Sequence, residues 1–322
     1  MPMRELHIGK NDAGRRLDRV VHAAFPNLPT TVAIKAIRTK NIKRNGKRCE
    51  PGDRLEEGDV LSLYLPDDLL ERPVIAAAPT DLPAPDILYE DANILLVEKP
   101  QGLVVHEDDR GTQDTLIARI QSHLIRTGEY DPAAENTFAP ALANRIDRNT
   151  CGIVIAAKNA EALRILSDNI RDREIDKYYL CAVLGRPEPD CGTLKCYLRK
   201  DERDKTVRVF QNPQPGARTA LTEYEVLQSR GELSLVRCRL LTGRTHQIRV
   251  SLAAIGCPLL GDGKYGDYAA NRRYRLREQA LCSYKLRFSF TTPAGILEYL
   301  NGREFTVRSV PFLEPLGFDK VK

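Results

Sequence analysis

Apolar and polar residues alternate along the N-terminal part of the chain in patterns that predict two short helices and a small sheet. Apolar positions spaced three and four apart indicate an amphipathic helix over residues 16–24. A second helix follows, with Thr30 or Thr31 as its capping residue. An Asn-Gly turn signal at residues 45–46 precedes residues 60–65, whose composition is typical of a strand. We therefore expect a small α/β module here.

Beyond residue 85 the pattern consists mainly of strands. The continuous apolar run at residues 153–157 is typical of a buried strand. Helices are predicted at residues 162–170 and 247–255, the second ending at Gly256, where the missing Cβ permits a left-handed closing conformation. Further strands are predicted at residues 87–89, 94–97, 180–184, 219–227, 233–241 and 281–290. The expected fold class is α+β, a mixed, largely antiparallel sheet with flanking helices, plus the small N-terminal α/β module.

A proline-rich stretch separates these two patterns. Residues 66–85 contain five prolines and three consecutive alanines, a composition typical of an extended linker. We predict a small basic module at residues 1–66, a linker at residues 67–85 and a large domain at residues 86–322. A chain of 322 residues is long enough for one large core and one small module.

Positive charge is concentrated in the N-terminal module. Residues 1–66 contain 13 Lys and Arg against 8 Asp and Glu, whereas the other 256 residues contain 36 of each. Residues 34–48 hold seven basic residues and no acidic one. Such a block attracts a polyanion, because neutralising phosphates releases counterions, although a solvated helix face followed by a basic turn is the alternative. The candidate residues for contacting such a polyanion are Lys35, Arg38, Lys40, Lys43 and Arg44.

The cysteines and the apolar runs bear on metal binding and location. The eight cysteines lack paired C-x-x-C spacing, which argues against a zinc site and against a dense disulfide framework. We expect reduced thiols and no metal site. The chain has no apolar run of about 18 residues and begins with polar and charged residues, so neither a membrane span nor a secretory signal is predicted. The expected location is cytoplasmic.

A charged loop followed by a buried strand is the strongest candidate for chemistry. Residues 144–158, NRIDRNTCGIVIAAK, place Asp147 between Arg145 and Arg148 in a polar turn that leads into the apolar run. This arrangement is typical of a reactive side chain held rigidly at a pocket floor. A carboxylate that caps a turn, or that pairs with a neighbouring arginine for stability, is the alternative.

Four segments resemble, in the same order, those of one enzyme family. Residues 144–158 resemble the signature of the RluA-type pseudouridine synthases, which usually reads H-R-L-D-R-x-T-S-G-L-L-L-x-A-K. LYEDANILLVEKPQGLVVH at residues 88–106 resembles the stretch that precedes the signature. KYYLCAVLG at residues 177–185 and LLTGRTHQIRVSLAAIGCPLLGDGKYG at residues 240–266 resemble the two that follow. Four ordered matches are far more specific than one short motif.

The resemblance covers roughly residues 80–310 and implies an RNA pseudouridine synthase, which isomerises uridine to pseudouridine. Nothing is oxidised and no group is transferred in, so no cofactor is expected. This chain departs from the signature at Asn144, where the family usually has His, and at Cys151, where it often has Ser. Both changes concern the hydrogen bonding of the loop and leave the carboxylate unchanged. They keep open the alternative of an RNA-binding protein with an inactive catalytic domain.

The resemblance also implies roles for single residues. Asp147 is the implied catalytic carboxylate, acting either at C1′ or on the C2′ proton. Arg249 matches the basic residue that pairs with this aspartate and keeps it ionised; Arg244 is the other candidate and also suits a phosphate. Tyr179 matches the tyrosine that lies on the target base. Tyr178 is the competing choice, because adjacent strand residues face opposite ways.

Further basic residues are candidates for binding RNA. Arg145 and Arg148 flank Asp147 and suit phosphates or the space vacated by a uridine that is flipped out of its stack. The tyrosine-bearing segment NRRYRLR at residues 271–277 suits contacts with an RNA backbone, and it equally suits a solvated loop.

The expected partner is RNA. The N-terminal module resembles the alpha-L RNA-binding module shared by a small-subunit ribosomal protein and many RNA-modifying enzymes. In the resembling family such enzymes mostly act on large-subunit ribosomal RNA, and a transfer RNA target is the alternative. A carboxylate-dependent glycoside hydrolase usually needs a second carboxylate, which the signature loop does not supply. No membrane or small-molecule cofactor is expected as a partner, and we assume a monomer because the RNA supplies the partner surface.

Overall fold

The computed structural model describes residues 3–72, 81–107, 111–201 and 203–321, which fall into two units. The first unit is drawn from Met1–Ala84, Ala118–Ala141 and Ala157–Leu163, and the second from Pro85–Ile117, Leu142–Ala156 and Arg164–Lys322. Each predicted domain is one continuous stretch of sequence, whereas each unit combines three separate segments. The predicted domain boundaries therefore stay a prediction. Residues 73–80 of the predicted linker lie outside the described residues, and Asp67–Leu70 forms a short 3-10 helix.

Apolar residues at helical spacing form the first two helices of the first unit. Helices α1 (Leu17–Ala24) and α2 (Thr30–Arg38) share a core with three antiparallel strands in the order β1-β3-β2, namely β1 (Arg4–His7), β2 (Ile42–Arg44) and β3 (Val60–Leu63). The predicted helices, turn and strand are confirmed. Asn45 and Gly46 both have positive φ, as a tight Asn-Gly turn requires. The predicted threonine cap is wrong, because the extended Pro29 is the capping residue and Thr30 is already helical.

A buried carboxylate joins distant segments of the first unit. Asp12 is 1% exposed and accepts hydrogen bonds from the Asn136 amide, at 2.7 Å, and from the Thr137 hydroxyl. Asn11 beside it donates to Glu135 at 2.6 Å. A buried carboxylate is costly to leave without donors, so these contacts hold the N-terminal segment against residues far along the chain.

The second unit is built on one large mixed sheet. Its strands are β4 (Ile87–Glu90), β5 (Ile94–Lys99), β6 (Ala141–Leu142), β7 (Cys151–Ala157), β8 (Ile175–Leu184), β9 (Cys191–Asp201), β10 (Thr206–Phe210), β11 (Arg218–Arg230), β12 (Leu233–Leu240), β13 (Leu281–Phe288) and β14 (Glu304–Thr306). The main path runs β10-β9-β11-β12-β8-β13-β7-β5-β4, and β14 pairs with β13. Neighbours from β10 to β13 are antiparallel, whereas β13 and β7 are parallel. The predicted α+β class with a mixed, largely antiparallel sheet is confirmed.

The described residues also form the α-helices α3 (Leu116–Arg126), α4 (Ala160–Arg171), α5 (Gln247–Ala254) and α6 (Tyr268–Arg273). Most of α3 and the first residues of α4 belong to the first unit, whereas α5 and α6 lie in the second. The predictions for α4 and α5 are confirmed, and Gly256 closes α5 with φ of 80°. Val250 of α5 packs against β9, β10 and β11 through Cys196, Leu198, Val207 and Ala220, which positions the helix that carries Arg249. In the described ranges no helix is long and apolar enough to cross a membrane.

Gly152, in β7, lies against β13 with no room for a side chain, which generates a testable prediction. Its φ is +113°, and a Cβ there would lie 2.2 Å from the carbonyl oxygen of Ser283. We expect Gly152→Ala to lower the free energy of unfolding by about 3 kcal/mol or more, because the two strands would have to separate. Chemical denaturation measures this change.

Gly231→Ala is the matched control for this clash. Gly231 has φ of +58° with no atom within 4 Å of a built Cβ, so its substitution introduces backbone strain alone. That strain costs about 1–2 kcal/mol. Equal losses of stability in the two variants would mean that the clash with Ser283 does not explain why position 152 needs glycine.

Candidate active site

The loop that carries Asp147 is held by a buried lysine. Lys99, at the end of β5, is 1% exposed, and its ammonium donates hydrogen bonds of 2.8 Å to the carbonyl oxygens of Pro100, Leu103 and Arg148. Burial lowers the pKa of Lys99 to about 8. Gly102 N–H also donates to the carbonyl of Arg148, whose Nε donates back to the Gly102 carbonyl, each at 3.0 Å. The loop backbone is therefore fixed directly beside Asp147.

The two departures from the family signature both make local contacts. The Oδ1 of Asn144 accepts the N–H of Ile155 in β7 at 2.8 Å, while its buried Nδ2 has no hydrogen-bond partner among the described residues. The Sγ of Cys151 lies 3.6 Å from the carbonyl oxygen of Leu281. All eight cysteines are free, and all but Cys191 are buried. Both departures thus help to join the loop to the sheet.

One guanidinium bridges two carboxylates at the centre of the site. Arg249 donates from Nη1 to Oδ2 of Asp147 at 2.8 Å. Its Nε and Nη2 donate to the two carboxylate oxygens of Asp262, at 2.7 and 2.8 Å. The side chain of Asp262 is 0% exposed and that of Arg249 7%, whereas the side chain of Asp147 is 29% exposed. Asp262 therefore fixes the guanidinium, and Asp147 is the carboxylate that the pocket can reach.

The charges of this trio reinforce one another. Burial acts to lower the pKa of Arg249, but the hydrogen bonds and charge of Asp262, together with those of Asp147, raise it above its ordinary value. Burial likewise acts to raise the pKa of Asp262, and Arg249 with the backbone N–H groups of Lys264 and Tyr265 holds it below its ordinary value. Both groups stay charged in a site where an unpaired charge would be costly.

Tyr265 and His246 complete the surroundings of the guanidinium. The ring of Tyr265 lies 5.2 Å from the Arg249 guanidinium, and its hydroxyl is 2.8 Å from Nδ1 of His246. The Nε2 of His246 lies 3.8 Å from Oδ2 of Asp147. Burial lowers the pKa of His246 to about 4, so this imidazole is neutral near neutral pH and Arg249 is the cation that faces Asp147.

Strand β8 supplies an aromatic side chain and a cation to the same pocket. Tyr179 and Lys177 both line the pocket with Asp147, because residues two apart in a strand face the same way. Tyr179 is buried, and that burial raises its pKa to about 12. Tyr178, the competing candidate, is not among the pocket residues, and the Lys285 ammonium lies 5.8 Å from its ring centroid. Lys177 is half-buried, and burial lowers its pKa.

The predicted RNA-binding arginines near Asp147 occupy different surroundings. Arg145 is exposed and Arg244 is half-buried, and both line the pocket. The Nε of Arg244 donates to the carbonyl of Thr219 at 3.1 Å, and its Nη1 and Nη2 have no hydrogen-bond partner among the described residues. Arg148 is exposed but lies outside the pocket lining, with its Nε bound to Gly102. Two of the three arginines therefore share the pocket with Asp147.

The basic residues of the N-terminal module also separate into two groups. Lys35, Arg38 and Lys40 are exposed, and Lys43 is half-buried with its ammonium 5.3 Å from the Tyr64 ring centroid. Arg44 is different, because its Nε lies 2.7 Å from Asp59 and Glu56 is 3.5 Å away. Asp59 already balances the charge of Arg44.

Sequence reasoning missed Asp262, Lys99 and Lys177. Asp262 contacts Arg249, 13 residues away in the chain, and Lys99 contacts the carbonyl of Arg148, 49 residues away. No local sequence pattern predicts such contacts. Lys177 could have been found, because strand alternation puts it on the same face as Tyr179. Among the described residues, no group of three or more His, Cys, Asp or Glu side chains could hold a metal ion.

Comparison with known proteins identifies the class of enzyme. Residues 93–254 match the family model described as RNA pseudouridylate synthase, and residues 15–61 match the S4 domain. The chain belongs to the RNA pseudouridylate synthase family and is of the RluA type. It is an enzyme that isomerises uridine to pseudouridine in RNA, with an N-terminal S4 RNA-binding domain.

Curated relatives and a solved structure resemble the chain over most of its length. The ribosomal large subunit pseudouridine synthase C of Vibrio cholerae is 31% identical over 81% of this chain and 80% of that relative. An uncharacterized RNA pseudouridine synthase of Aquifex aeolicus is 33% identical over 78% of this chain and 77% of that relative. The human RNA pseudouridylate synthase domain containing 4 shares the fold, with a TM-score of 0.56, 22% identity and coverage of 73% and 94% of the two chains.

The low pKa of His246 generates a prediction on stability. Between the pKa of about 4 in the folded protein and the ordinary 6.5, the unfolded chain binds a proton that the folded protein does not. Stability therefore falls as the pH is lowered through this window, by up to about 3 kcal/mol from this group. We expect His246→Gln to lose less stability between about pH 7 and about pH 4.5 than the unmodified protein does.

Denaturant unfolding at the two pH values measures this difference. The exposed His22 on α1 provides the control, since His22→Gln removes an imidazole that the fold does not bury. If His246→Gln and His22→Gln showed the same pH dependence, burial of His246 would not be a source of the acid sensitivity.

Proposed function

We propose that this chain modifies large-subunit ribosomal RNA and that Asp147 is its reacting carboxylate. The observation that carries the proposal is the 2.8 Å pair between Asp147 and Arg249 in a pocket that also contains Tyr179. Oδ2 of Asp147 is occupied by Arg249, whereas Oδ1 has no hydrogen-bond donor among the described residues. An ionised carboxylate with one oxygen held and the other accessible suits a nucleophile or a base.

The reaction needs one such group and no external reactant. The N1–C1′ bond of uridine breaks, the uracil turns while bound, C5 bonds to C1′, and the C5 proton leaves while N1 takes one up. Asp147 either attacks C1′, and is later displaced by C5, or removes the C2′ proton and later returns it. Because the product is an isomer of the substrate, no cofactor takes part in this scheme.

Arg249 and Tyr179 have supporting roles in the proposal. Once RNA excludes water from the pocket, burial would favour the neutral carboxyl, and the fixed guanidinium of Arg249 opposes this. The ring of Tyr179 suits stacking on the uracil. With a pKa of about 12, its hydroxyl stays protonated near neutral pH, which favours stacking and hydrogen bonding over removal of the C5 proton.

The proposal that the partner is ribosomal RNA rests on the charge of the exposed residues and on the names of relatives. Arg145 and Arg244 are suited to the phosphates around the target nucleotide, and Arg148 to the backbone beside the loop. The proposed RNA contacts of the N-terminal domain are Lys35, Arg38, Lys40 and Lys43. Arg44 has a structural role instead, because it pairs with Asp59. Relatives from Vibrio and Xanthomonas carry the name ribosomal large subunit pseudouridine synthase, which supports a ribosomal target. The enzyme is proposed to act as a monomer, because the RNA supplies the partner surface.

Asp147→Asn is the direct test of the proposed chemistry. An amide is a far poorer nucleophile and base than a carboxylate, so we expect single-turnover isomerisation to fall by about ten-thousand-fold or more. RNA binding should remain, because the substitution keeps the size of the side chain. Tritium release from C5 of labelled uridine in ribosomal RNA measures the reaction, and release of free uracil would instead indicate glycoside hydrolysis.

The control for this variant is Asp68→Asn, which removes one exposed carboxylate of the N-terminal unit. It should react at the unmodified rate. If Asp147→Asn retained a tenth of the activity with binding unchanged, another residue would be the catalyst.

The basic residues of the N-terminal domain generate a separate prediction. Replacing Lys35, Arg38, Lys40 and Lys43 together by Gln should weaken RNA binding and flatten its dependence on salt, by about one unit of slope for each phosphate that is no longer neutralised. The rate at saturating RNA should stay unchanged. Lys195→Gln with Lys320→Gln, two exposed lysines elsewhere, is the control. An unchanged salt slope in the fourfold variant would contradict the assignment of these residues.

A further inference from the structure

Helix α6 and residues 274–277 form an exposed surface that the proposed active site does not use; we call it the α6 surface. Tyr268, at its start, is 76% exposed, more than any other large hydrophobic residue of the described ranges. The guanidinium of Arg272, one turn along, lies 5.9 Å from the Tyr268 ring centroid. An exposed aromatic ring beside a guanidinium is the usual platform for an unpaired nucleobase.

The α6 surface is also strongly basic. Arg272, Arg273, Arg275 and Arg277 are all exposed within six residues. Arg273 pairs with Glu232, whereas in the described part of the chain Arg272, Arg275 and Arg277 have no carboxylate within ion-pair distance. The carboxylate of Asp267 is used in capping the helix, where it accepts the N–H of Ala270 at 2.7 Å. Three arginines are therefore available to an external anion.

The surface is fixed to the loop that orients Arg249. The side chain of Asn271 accepts the N–H of Gly261 at 2.7 Å and donates to the carbonyl of Asp262 at 3.2 Å. Asp262 in turn holds Arg249, which pairs with Asp147. The residues Asn271, Asp262 and Arg249 therefore link the α6 surface to Asp147 by consecutive hydrogen bonds within the second unit.

We propose that the α6 surface binds a single-stranded stretch of the substrate RNA close to the target uridine, with one base stacked on Tyr268 and phosphates bound by Arg272, Arg275 and Arg277. Arginine side chains and an aromatic ring are what the sequence-tolerant binding of unpaired RNA requires. A ring with three unpaired arginines suits a polyanion with aromatic bases better than it suits a protein surface. This inference rests on the family's RNA substrate and is independent of the assignment of Asp147.

Tyr268→Trp gives a direct probe, because the chain has no tryptophan of its own. A base that stacks on the introduced indole quenches its fluorescence. With a short oligouridylate as the titrant, we expect saturable quenching that weakens as salt is raised. Tyr299→Trp is the matched control at another exposed tyrosine, 45% exposed, and its fluorescence should not change. Absence of quenching in Tyr268→Trp, or equal quenching at both positions, overturns the proposal.

Substitutions that remove the ring or the charges complete the test. Tyr268→Ala should weaken binding of the same oligouridylate about 5- to 100-fold, the effect of removing one stacked base, whereas Tyr268→Phe should bind as the unmodified protein does. Replacing Arg272, Arg275 and Arg277 together by Gln should flatten the salt dependence of oligouridylate binding by up to about three units of slope.

Thermal unfolding should confirm that each of these variants is folded. Unaltered affinity in folded Tyr268→Ala refutes the stacking interaction. An active Asp147→Asn variant would refute only the proposed catalyst, so the two failures are distinguishable.

Discussion

The sharing of one buried guanidinium between two carboxylates is the constraint on which the candidate site depends. A buried arginine with a single acidic partner would keep unsatisfied N–H groups, and a buried aspartate without a cation would favour its neutral form. Asp262 removes the first difficulty by binding Nε and Nη2 of Arg249. The remaining Nη1 is then aimed at Asp147 without any reorganisation. The fixed geometry of the inner pair is what keeps a guanidinium N–H directed at the outer carboxylate.

Lys99 is a second buried cation, and it holds the loop backbone instead of pairing with a carboxylate. Among the described residues Lys99 has no carboxylate within ion-pair distance, and it instead donates to three carbonyl oxygens, one of them in the residue that follows Asp147. Taking an ammonium out of water is costly, and the lowered pKa of Lys99 reflects that cost. The result is a loop whose backbone is held at a defined position. Arg249 thus binds the carboxylate of Asp147, and Lys99 fixes the backbone of the loop that carries it.

Local patterns predicted the elements that depend on their own residues. Strand β7 was visible because all seven of its residues are apolar or small and buried, and α5 because Gly256 ends it. Strand β9 was missed although Leu194, Cys196 and Leu198 alternate with more exposed residues, because both ends of the strand are mostly exposed and the alternation covers only its middle. Asp147 stood out through its flanking arginines, but Asp262 did not, since its role depends on a contact that only the folded loop creates.

The departures from the signature argue against a degenerate site. A chain that had lost its function could lose the partly exposed Asp147 more easily than Asp262, because removing one partner of a fully buried ion pair destabilises the fold. Here the Asp147–Arg249–Asp262 trio is complete, and Asn144 and Cys151 each hold the loop to a neighbouring strand. The buried Nδ2 of Asn144 is a donor without a partner among the described residues, at the edge of the pocket. The asparagine therefore keeps the contact with β7 through Oδ1, while the unused Nδ2 is a local cost to stability.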